Sequence, residues 1–535
     1  MKDEKKIMGL LVLLFAALMS LPFLVPHCGF TALFGFVPLL CMERIASRCG
    51  IRRLWRWHFP AFVLWNAMTT FWVCKATVGG GIFAIAANAL QMSLIFGVFR
   101  WSRKYLRGAL PYVLLAALWI AWERRYLTVG QISWPWLVLG NAFAGDIRLV
   151  QWYEFTGTLG GSLWVWASNL AIFGLMASLS GGGWNACGTK ARIAAVASSA
   201  AAVFGPAIWS ALLWAGFRED GESVEVAALQ PNIDPYSKFT AMTQDTQDLI
   251  LSGLMEDALN GADGGRIILV APETFTRNVI VGRMGENRTV RRFSEELGPH
   301  PEASLVMGAS TYEYLFSEGR PSRTARRVSD GVWIETHNSA FVVDGNGPGD
   351  IYHKSKLVPA VEMIPYPAIF RPIDDLLGGV MGRCTGQDSI SLLYPGGVPM
   401  GCAICYESVY GEFCAGYVRA GAKALAVITN DAWWGNTPGY MQHLRYASLR
   451  AVETRRDIVR CANTGISAII SARGEILSRT EWWSRCTLAG KIRLNDEETF
   501  FVRYGDIAGR VCTFLAILLI AAAAVRRFAG PPLFE

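Results

Sequence analysis

Charge is scarce in this sequence. Asp, Glu, Lys and Arg make up 17% of its 535 residues, against about a quarter in typical soluble domains. So apolar a chain is not disordered. Cysteine is thin too, with twelve in the whole length, too few for a disulfide scaffold of this size. Histidine numbers only six. There is no internal repeat, low-complexity tract, P-loop or Rossmann glycine pattern, so no nucleotide cofactor is expected. The net charge of +7 does not point to nucleic acid either. In the apolar part the basic residues fall between hydrophobic stretches instead of forming one face.

Apolar side chains are abundant, at 52%, and concentrate in the first 217 positions and one stretch near the end. Stretches near 7–25, 30–43, 59–75, 80–99, 109–122, 163–179, 193–217 and 508–525 approach the roughly 20 residues needed to cross a bilayer, the second being short. The first imitates a signal peptide. Pro22 and Pro26 are not followed by a small-residue cleavage site, however, and Cys28 after Val25-Pro26-His27 is no lipoprotein processing site, so it is read as a helix.

Short loops rich in Lys and Arg stay cytoplasmic. With the N-terminus inside, alternate loops should be basic. They carry Lys2, Lys5 and Lys6; Arg44, Arg48, Arg52, Arg53 and Arg56; Arg100, Arg103, Lys104 and Arg107; Lys190 and Arg192; and Arg526 and Arg527. The opposite loops hold Lys75, Arg124, Arg125 and Arg148, with the Arg124-Arg125 pair as the exception. The expected organisation is a seven-helix transmembrane domain over 1–217, an extracytoplasmic domain over 218–507, and a C-terminal transmembrane helix with a short cytoplasmic tail over 508–535. Cytosolic ATP and coenzyme A would be out of reach of the middle domain.

Residues 218–507 alternate short β-rich runs with helical patterns such as 242–260 and 440–457, the mark of an α/β domain. Expected strands are Ser223–Leu229, Arg266–Ala271, Ala303–Gly308, Ser339–Val343, Met400–Ile404, Ala424–Ile428 and Ala468–Ser471. Hairpin turns are expected at Asp344-Gly345-Asn346-Gly347 and Ala472-Arg473-Gly474-Glu475.

Three points in this segment each present one reactive group. A continuous apolar strand ends in Pro272-Glu273-Thr274, which puts a carboxylate where a buried strand emerges. Lys354 and Lys356 follow the first hairpin. Met400–Ile404 leads into Cys405-Tyr406-Glu407, so Cys405 sits at a strand-to-helix elbow. An acid, an amine and a thiol suffice for covalent acyl transfer as base, oxyanion stabiliser and nucleophile. Taken singly, each has a structural reading: a lone Cys is usually a small buried hydrophobe, Glu273 a surface ion-pair partner, Lys354 a solvated loop residue. Cys402 and Cys405 also form a C-x-x-C. Redox pairs of this kind open a helix, whereas Cys402 lies inside a strand and there is no second pair at zinc spacing, so Cys402 is read as core and no metal is expected. His353 and His443 lie near these motifs, and a Cys–His dyad stays open as the less economical arrangement.

The order and the surrounding residues resemble the carbon–nitrogen hydrolase (nitrilase) superfamily. The resemblance rests on Ala271-Pro272-Glu273-Thr274, Tyr352-His353-Lys354 with Leu357-Val358-Pro359, Glu362 with Pro365, Ile404-Cys405-Tyr406-Glu407, Thr429-Asn430-Asp431-Ala432-Trp433, and Asn463-Thr464-Gly465. More closely, nearly the whole chain resembles a bacterial inner-membrane branch with seven helices before such a domain and one after.

This resemblance implies a four-layer α-β-β-α sandwich inserted into a helical membrane domain. It implies Glu273 as general base, Lys354 in preference to Lys356 as oxyanion stabiliser, and Cys405 as nucleophile. Glu362, Tyr406 and Glu407 match supporting positions. Two departures touch the acyl-chain entrance: Ala360-Val361 replace an aromatic-glycine pair, and Phe239 stands where some relatives carry a functional tryptophan.

The implied reaction takes an acyl chain from a membrane phospholipid onto Cys405 as a thioester. It then passes the chain to the α-amino group of the N-terminal diacylglyceryl-cysteine of a lipoprotein, with ping-pong kinetics and no cofactor. Exposing a 16-carbon chain to water would cost on the order of 10 kcal/mol at about 0.8 kcal/mol per CH₂. The site must therefore stay at the bilayer surface, on the periplasmic side. Candidate rim segments are Met363–Phe370, 376–381 and Trp433-Trp434, apolar for loops outside a membrane; they could instead pack on their own domain's core. Competing readings are a membrane-attached amidase with water as second nucleophile, and a transporter with an accessory domain. The latter predicts inverted repeats or paired intramembrane charges, which the sequence lacks.

Overall fold

The computed structural model describes residues 2–129, 131–180, 188–376 and 381–529. It divides into two compact units. The first comprises 1–128, 134–217 and 504–535, the second 129–133 and 218–503. Residues 129–133 thus leave the helical unit, and the second junction falls before Tyr504, a few residues ahead of the expected 507.

Every apolar stretch read from the sequence is helical. Six helices among the described residues are long and apolar enough to cross a membrane: Glu4–Leu24, Gly29–Arg48, Val78–Ser102, Thr158–Ser180, Thr189–Gly216 and Ile507–Phe528. Trp55–Thr70 has only 16 residues. Leu110–Thr128 carries Glu123, Arg124 and Arg125 toward its end, and the first two of these charges find partners inside the unit. Glu123 Oε1 accepts from the Leu139 N–H at 2.8 Å, and Arg124 lies 3.4 Å from Asp506. One arginine of the pair that breaks the basic-loop alternation is therefore an ion-pair partner.

The shortness of the second apolar stretch also has a local cause. Its helix is interrupted at Phe36, between Ala32–Gly35 and Val37–Arg48. Asn169 serves the backbone groups there: its Oδ1 accepts from the Phe36 N–H at 2.7 Å and its Nδ2 donates to the Ala32 carbonyl at 2.7 Å. A polar side chain from a neighbouring helix thus replaces the missing helical bonds.

Among its described residues the second unit has thirteen strands: β1 (Ser223–Gln230), β2 (Ile267–Val270), β3 (Thr276–Ile280), β4 (Ala303–Phe316), β5 (Arg326–Ser329), β6 (Val332–Asp344), β7 (Gly347–His353), β8 (Met400–Ile404), β9 (Ala424–Thr429), β10 (Ile458–Ala462), β11 (Ala468–Ile470), β12 (Ile476–Arg479) and β13 (Cys486–Arg493). One sheet runs β13-β1-β2-β4-β6-β5, with β3 on β4 and β7 on β6; the other runs β12-β11-β10-β9-β8. Helices Gln244–Asn260 and Arg288–Leu297 cover the first sheet, and Gly411–Arg419 and Pro438–Thr454 the second, while β1 packs against β10 between them. This is the four-layer α-β-β-α sandwich.

Strands buried on both faces read as continuous apolar runs. β2, β8 and β9 are buried throughout and were expected within a residue or two. β10 is equally buried but contains Arg460, and that charge hides it from a hydropathy reading.

Candidate active site

Three strand ends bring the reactive side chains together. Glu273 follows β2, and the turn is tight: Thr274 takes φ +49°. A Cβ on Gly308 of β4 would stand 2.6 Å from the Pro272 carbonyl oxygen and 2.7 Å from Glu273 Cα. Gly308→Ala is therefore expected to displace the Glu273 turn, costing about 1–3 kcal/mol in thermal denaturation and lowering turnover.

Lys354 follows β7, its backbone N–H bonded to the Asn338 carbonyl at 2.8 Å. The residue is 1% exposed, and its Nζ lies 3.2 Å from Glu273 Oε1 and 2.9 Å from Glu362 Oε2. Burial pulls the lysine down, but the negative charges of Glu273 and then Glu362 hold it well above its ordinary range. It stays an ammonium. Asn338 Nδ2 completes the cluster, donating to Glu273 Oε1 and to Glu362 Oε1 at 2.8 Å each.

Cys405 opens a short 3-10 turn, Cys405–Val409, after β8, with φ +52°. A non-glycine residue in that region is strained and needs fixing by its surroundings. Burial of its sulfur, and next the charge of Glu273, raise its pKa; Lys354 and a bond with Thr429 pull the other way. The resting group is a thiol, beside one carboxylate and one ammonium. A thiol of this kind needs a base as it attacks.

Residues 225–500 match the family model for carbon-nitrogen hydrolase. The chain belongs to the carbon–nitrogen hydrolase family. Residues 15–171 match the model for the apolipoprotein N-acyltransferase N-terminal domain. The chain is 27% identical over 514 residues to the apolipoprotein N-acyltransferase of Chlorobaculum tepidum, covering 94% of this chain and 93% of that one. It is 27% identical over 538 residues to that of Geobacter metallireducens, covering 97% and 95%. Among solved structures, Nit3 of Saccharomyces cerevisiae, of the nitrilase superfamily, covers 51% of this chain and 90% of its own at TM-score 0.37 and 14% identity.

In this carbon–nitrogen hydrolase unit the supporting residues fall into distinct jobs. Glu362 Oε2 accepts from the Val358 N–H at 2.8 Å, which fixes it against Lys354. Glu407 ties the lysine loop to the cysteine elbow. Its Oε1 accepts from the Tyr352 hydroxyl at 2.6 Å and from the Ser355 and Lys356 N–H groups at 2.7 and 3.0 Å, and its Oε2 from the Ile404 N–H at 2.9 Å. Burial lifts Glu407 to about 7, against these donors and the Lys354 charge. Tyr406 turns away, donating to the Ser133 carbonyl at 2.7 Å, which explains why residues 129–133 join this unit. Lys356 Nζ stacks over Tyr410, 5.8 Å from the ring centre, apart from the carboxylate cluster.

In this region Asn338 and Arg460 escaped the sequence reading, which names Asp431 and His443 without the partners they have here. Asn338 lies one residue before the expected start of its strand. Asn338→Ala removes the donor shared by both carboxylates; a loss of about 1–3 kcal/mol in transition-state stabilisation, roughly 5- to 150-fold in turnover, is expected in a steady-state assay. Asp431, His443 and Arg460 form a buried network behind the elbow. Asp431 meets Arg460 at 2.7 Å and His443 at 3.0 Å, while His443 Nε2 lies 3.1 Å from the Cys405 carbonyl oxygen and 3.0 Å from Ser408 Oγ. Burial raises Asp431, but Arg460 and then His443 hold it well below the usual carboxylate range. Of the other histidine near the motifs, His353, Nδ1 meets Ser339 Oγ at 2.6 Å.

The rim candidates are less uniform. Trp433 is exposed and meets Tyr236 edge to face, ring centres 5.7 Å apart; Trp434 packs on His443. Phe239 lies in the helix Pro235–Thr240, but its side chain is outside the described part. In the first apolar segment Tyr366 and Ile369 are exposed and Ile364 is buried. In 376–381 only the ends are described, and Leu376 is 86% exposed.

Proposed function

We propose that this chain is an apolipoprotein N-acyltransferase that moves an acyl chain from a membrane phospholipid to the N-terminal diacylglyceryl-cysteine of a lipoprotein. The observation that carries the reading is the union, in one chain, of membrane-length helices matching that N-terminal domain with a carbon–nitrogen hydrolase unit. Relatives bearing that name align along nearly the full length.

Glu273 takes the Cys405 proton as sulfur attacks the ester carbonyl of the phospholipid. Lys354, already an ammonium, stabilises the tetrahedral oxyanion, aided by the backbone N–H of Tyr406. The oxyanion collapses, the lysophospholipid leaves with the proton from Glu273, and the acyl chain rests on Cys405 as a thioester. The α-amine of the acceptor, whose pKa of about 7.7–8.0 leaves a neutral fraction near pH 7, attacks next; Glu273 collects its surplus proton and the thiol is restored. Glu362 and Asn338 hold Glu273 and Lys354 in place, and Glu407 holds the lysine loop to the elbow. The kinetics are ping-pong. The thioester keeps the reactivity of the ester, so no nucleotide is consumed. The catalytic unit faces the periplasm of a bacterial inner membrane, with Trp433, Trp434 and the apolar segment Met363–Phe370 at the lipid surface.

The test is to incubate the full chain in vesicles with acyl-labelled phospholipid and a diacylglyceryl lipopeptide. Label in an amide on the lipopeptide is the expected product. Label recovered only as free fatty acid would mean a hydrolase and overturn the proposal.

A further inference from the structure

Away from the Cys405 site, one face of the β4–β6 ribbon carries Glu313, Glu335 and His337. Glu313 and Glu335 are directly opposed across the two strands, and His337 is two residues along β6 on the same face. Like charges in directly opposed positions are destabilising. Among the described residues no Lys or Arg lies within ion-pair distance of either carboxylate, and Glu335 is buried. The only cationic group beside them would be His337 itself, whose Nε2 stands 3.7 Å from Glu313 Oε2, beyond hydrogen-bond length.

His337 is 6% exposed, and its Nε2 has no hydrogen-bond partner. Its Nδ1 is 2.8 Å from the Thr385 carbonyl oxygen. That carbonyl can only accept, so Nδ1 carries a proton and Nε2, on the side of the two carboxylates, is the nitrogen left to take a metal. An imidazole whose far nitrogen donates to a carbonyl is the arrangement of a metal-bound histidine. The ring plane is fixed as well, by stacking on His353 at 4.2 Å between centres. Glu335 is similarly held: its Oε1 accepts from the hydroxyls of Ser322 and of Thr324, the latter at 2.9 Å. The three ligand atoms lie within 4.8 Å of one another. Two ligands on one tetrahedral zinc, at bonds of about 2.0–2.2 Å, are about 3.4 Å apart, so a small closing movement suffices.

We propose that Glu313, Glu335 and His337 bind one divalent cation of the zinc class. Two carboxylates and a neutral imidazole balance its charge. The nitrogen ligand disfavours calcium and magnesium, which take oxygen. The ion neutralises the opposed glutamates and clamps β4 to β6, one residue from Asn338, which projects to the opposite face and holds Glu273 and Glu362. The role is structural, and it does not depend on which acyl acceptor the Cys405 site uses.

The full chain, without a histidine tag, is stripped with chelator in detergent and titrated with Zn²⁺ alone. One saturable equivalent is expected, lost in His337→Gln and at least tenfold weaker in Glu313→Gln, whose site is surface-accessible and leaves the fold intact. X-ray absorption at the zinc edge should show nitrogen and oxygen near 2.0–2.2 Å. Absence of saturable binding, binding unchanged in both variants, or a sulfur shell near 2.3 Å would each overturn the site.

Discussion

Cys405→Ala is expected to abolish acyl transfer, to below one-thousandth of the parent rate, while leaving the melting temperature within a few degrees. The size of the loss follows from covalent catalysis: without a nucleophile the reaction reverts to direct attack by the acceptor amine on a phospholipid ester, and only binding and oxyanion stabilisation remain. The small effect on folding follows from what holds the elbow. Its backbone is fixed by Glu407 at Ile404 and by Ser408 and His443 at the Cys405 carbonyl, none of which involves the sulfur. Cys405→Ser should do little better. A serine hydroxyl is less acidic than the thiol it replaces, and Glu273 must then remove a proton held more tightly. Following labelled amide on the lipopeptide, together with a thermal melt, checks both halves.

Lys354→Met should have the second largest effect, and it should strike stability as well as rate. Removing the ammonium leaves Glu273 and Glu362 facing each other with only the Asn338 amide between them. Breaking a buried ion cluster from one side costs about 3–5 kcal/mol. Two carboxylates so placed cannot both stay ionised, so one takes up a proton, and the base is lost along with the oxyanion stabiliser. A fall of about 10²–10³ from the oxyanion contribution alone is expected, with more from the compromised base. Lys354→Arg separates the two contributions. The guanidinium restores the charge and much of the melting temperature, but its fixed fork cannot take the place of a single ammonium between two carboxylates and an oxyanion, so turnover stays low.

The sign of the pH dependence follows from the same cluster. The folded pKa of Lys354 is raised above its ordinary 10.5, so the stability it contributes is fully present below that value. It is lost only as the pH climbs through the raised one. An alkaline loss of activity below about pH 10 therefore belongs to another group.

The parts of the fold and site legible in the sequence share one property: each is written in consecutive residues. β2 and β8 are apolar runs ending in Glu273 and Cys405, and Lys354 follows a hairpin whose turn residues announce it. The rest depends on partners distant along the chain. β10 is hidden because Arg460 interrupts its apolar run, and the charge makes sense only beside Asp431, 29 residues earlier. Asn338 reads as an ordinary polar strand residue until the fold sets it between Glu273, 65 residues before it, and Glu362, 24 after. The break at Phe36 in the second apolar stretch requires Asn169, 133 residues away. Arg124 looks like a topology signal out of place until Asp506 is found beside it. The zinc-class cluster has no spacing signature, because Glu313 meets Glu335 and His337 only through strand register.

Mass spectrometry of the intact chain purified from bacterial membranes addresses the chemistry most directly. A fatty-acyl mass increment that maps to the Cys405 peptide, is released by hydroxylamine and disappears when acceptor lipopeptide is added is the expected result. An acyl group on another residue, or an unmodified Cys405 in protein actively turning over phospholipid without acceptor, would contradict a thioester at this sulfur.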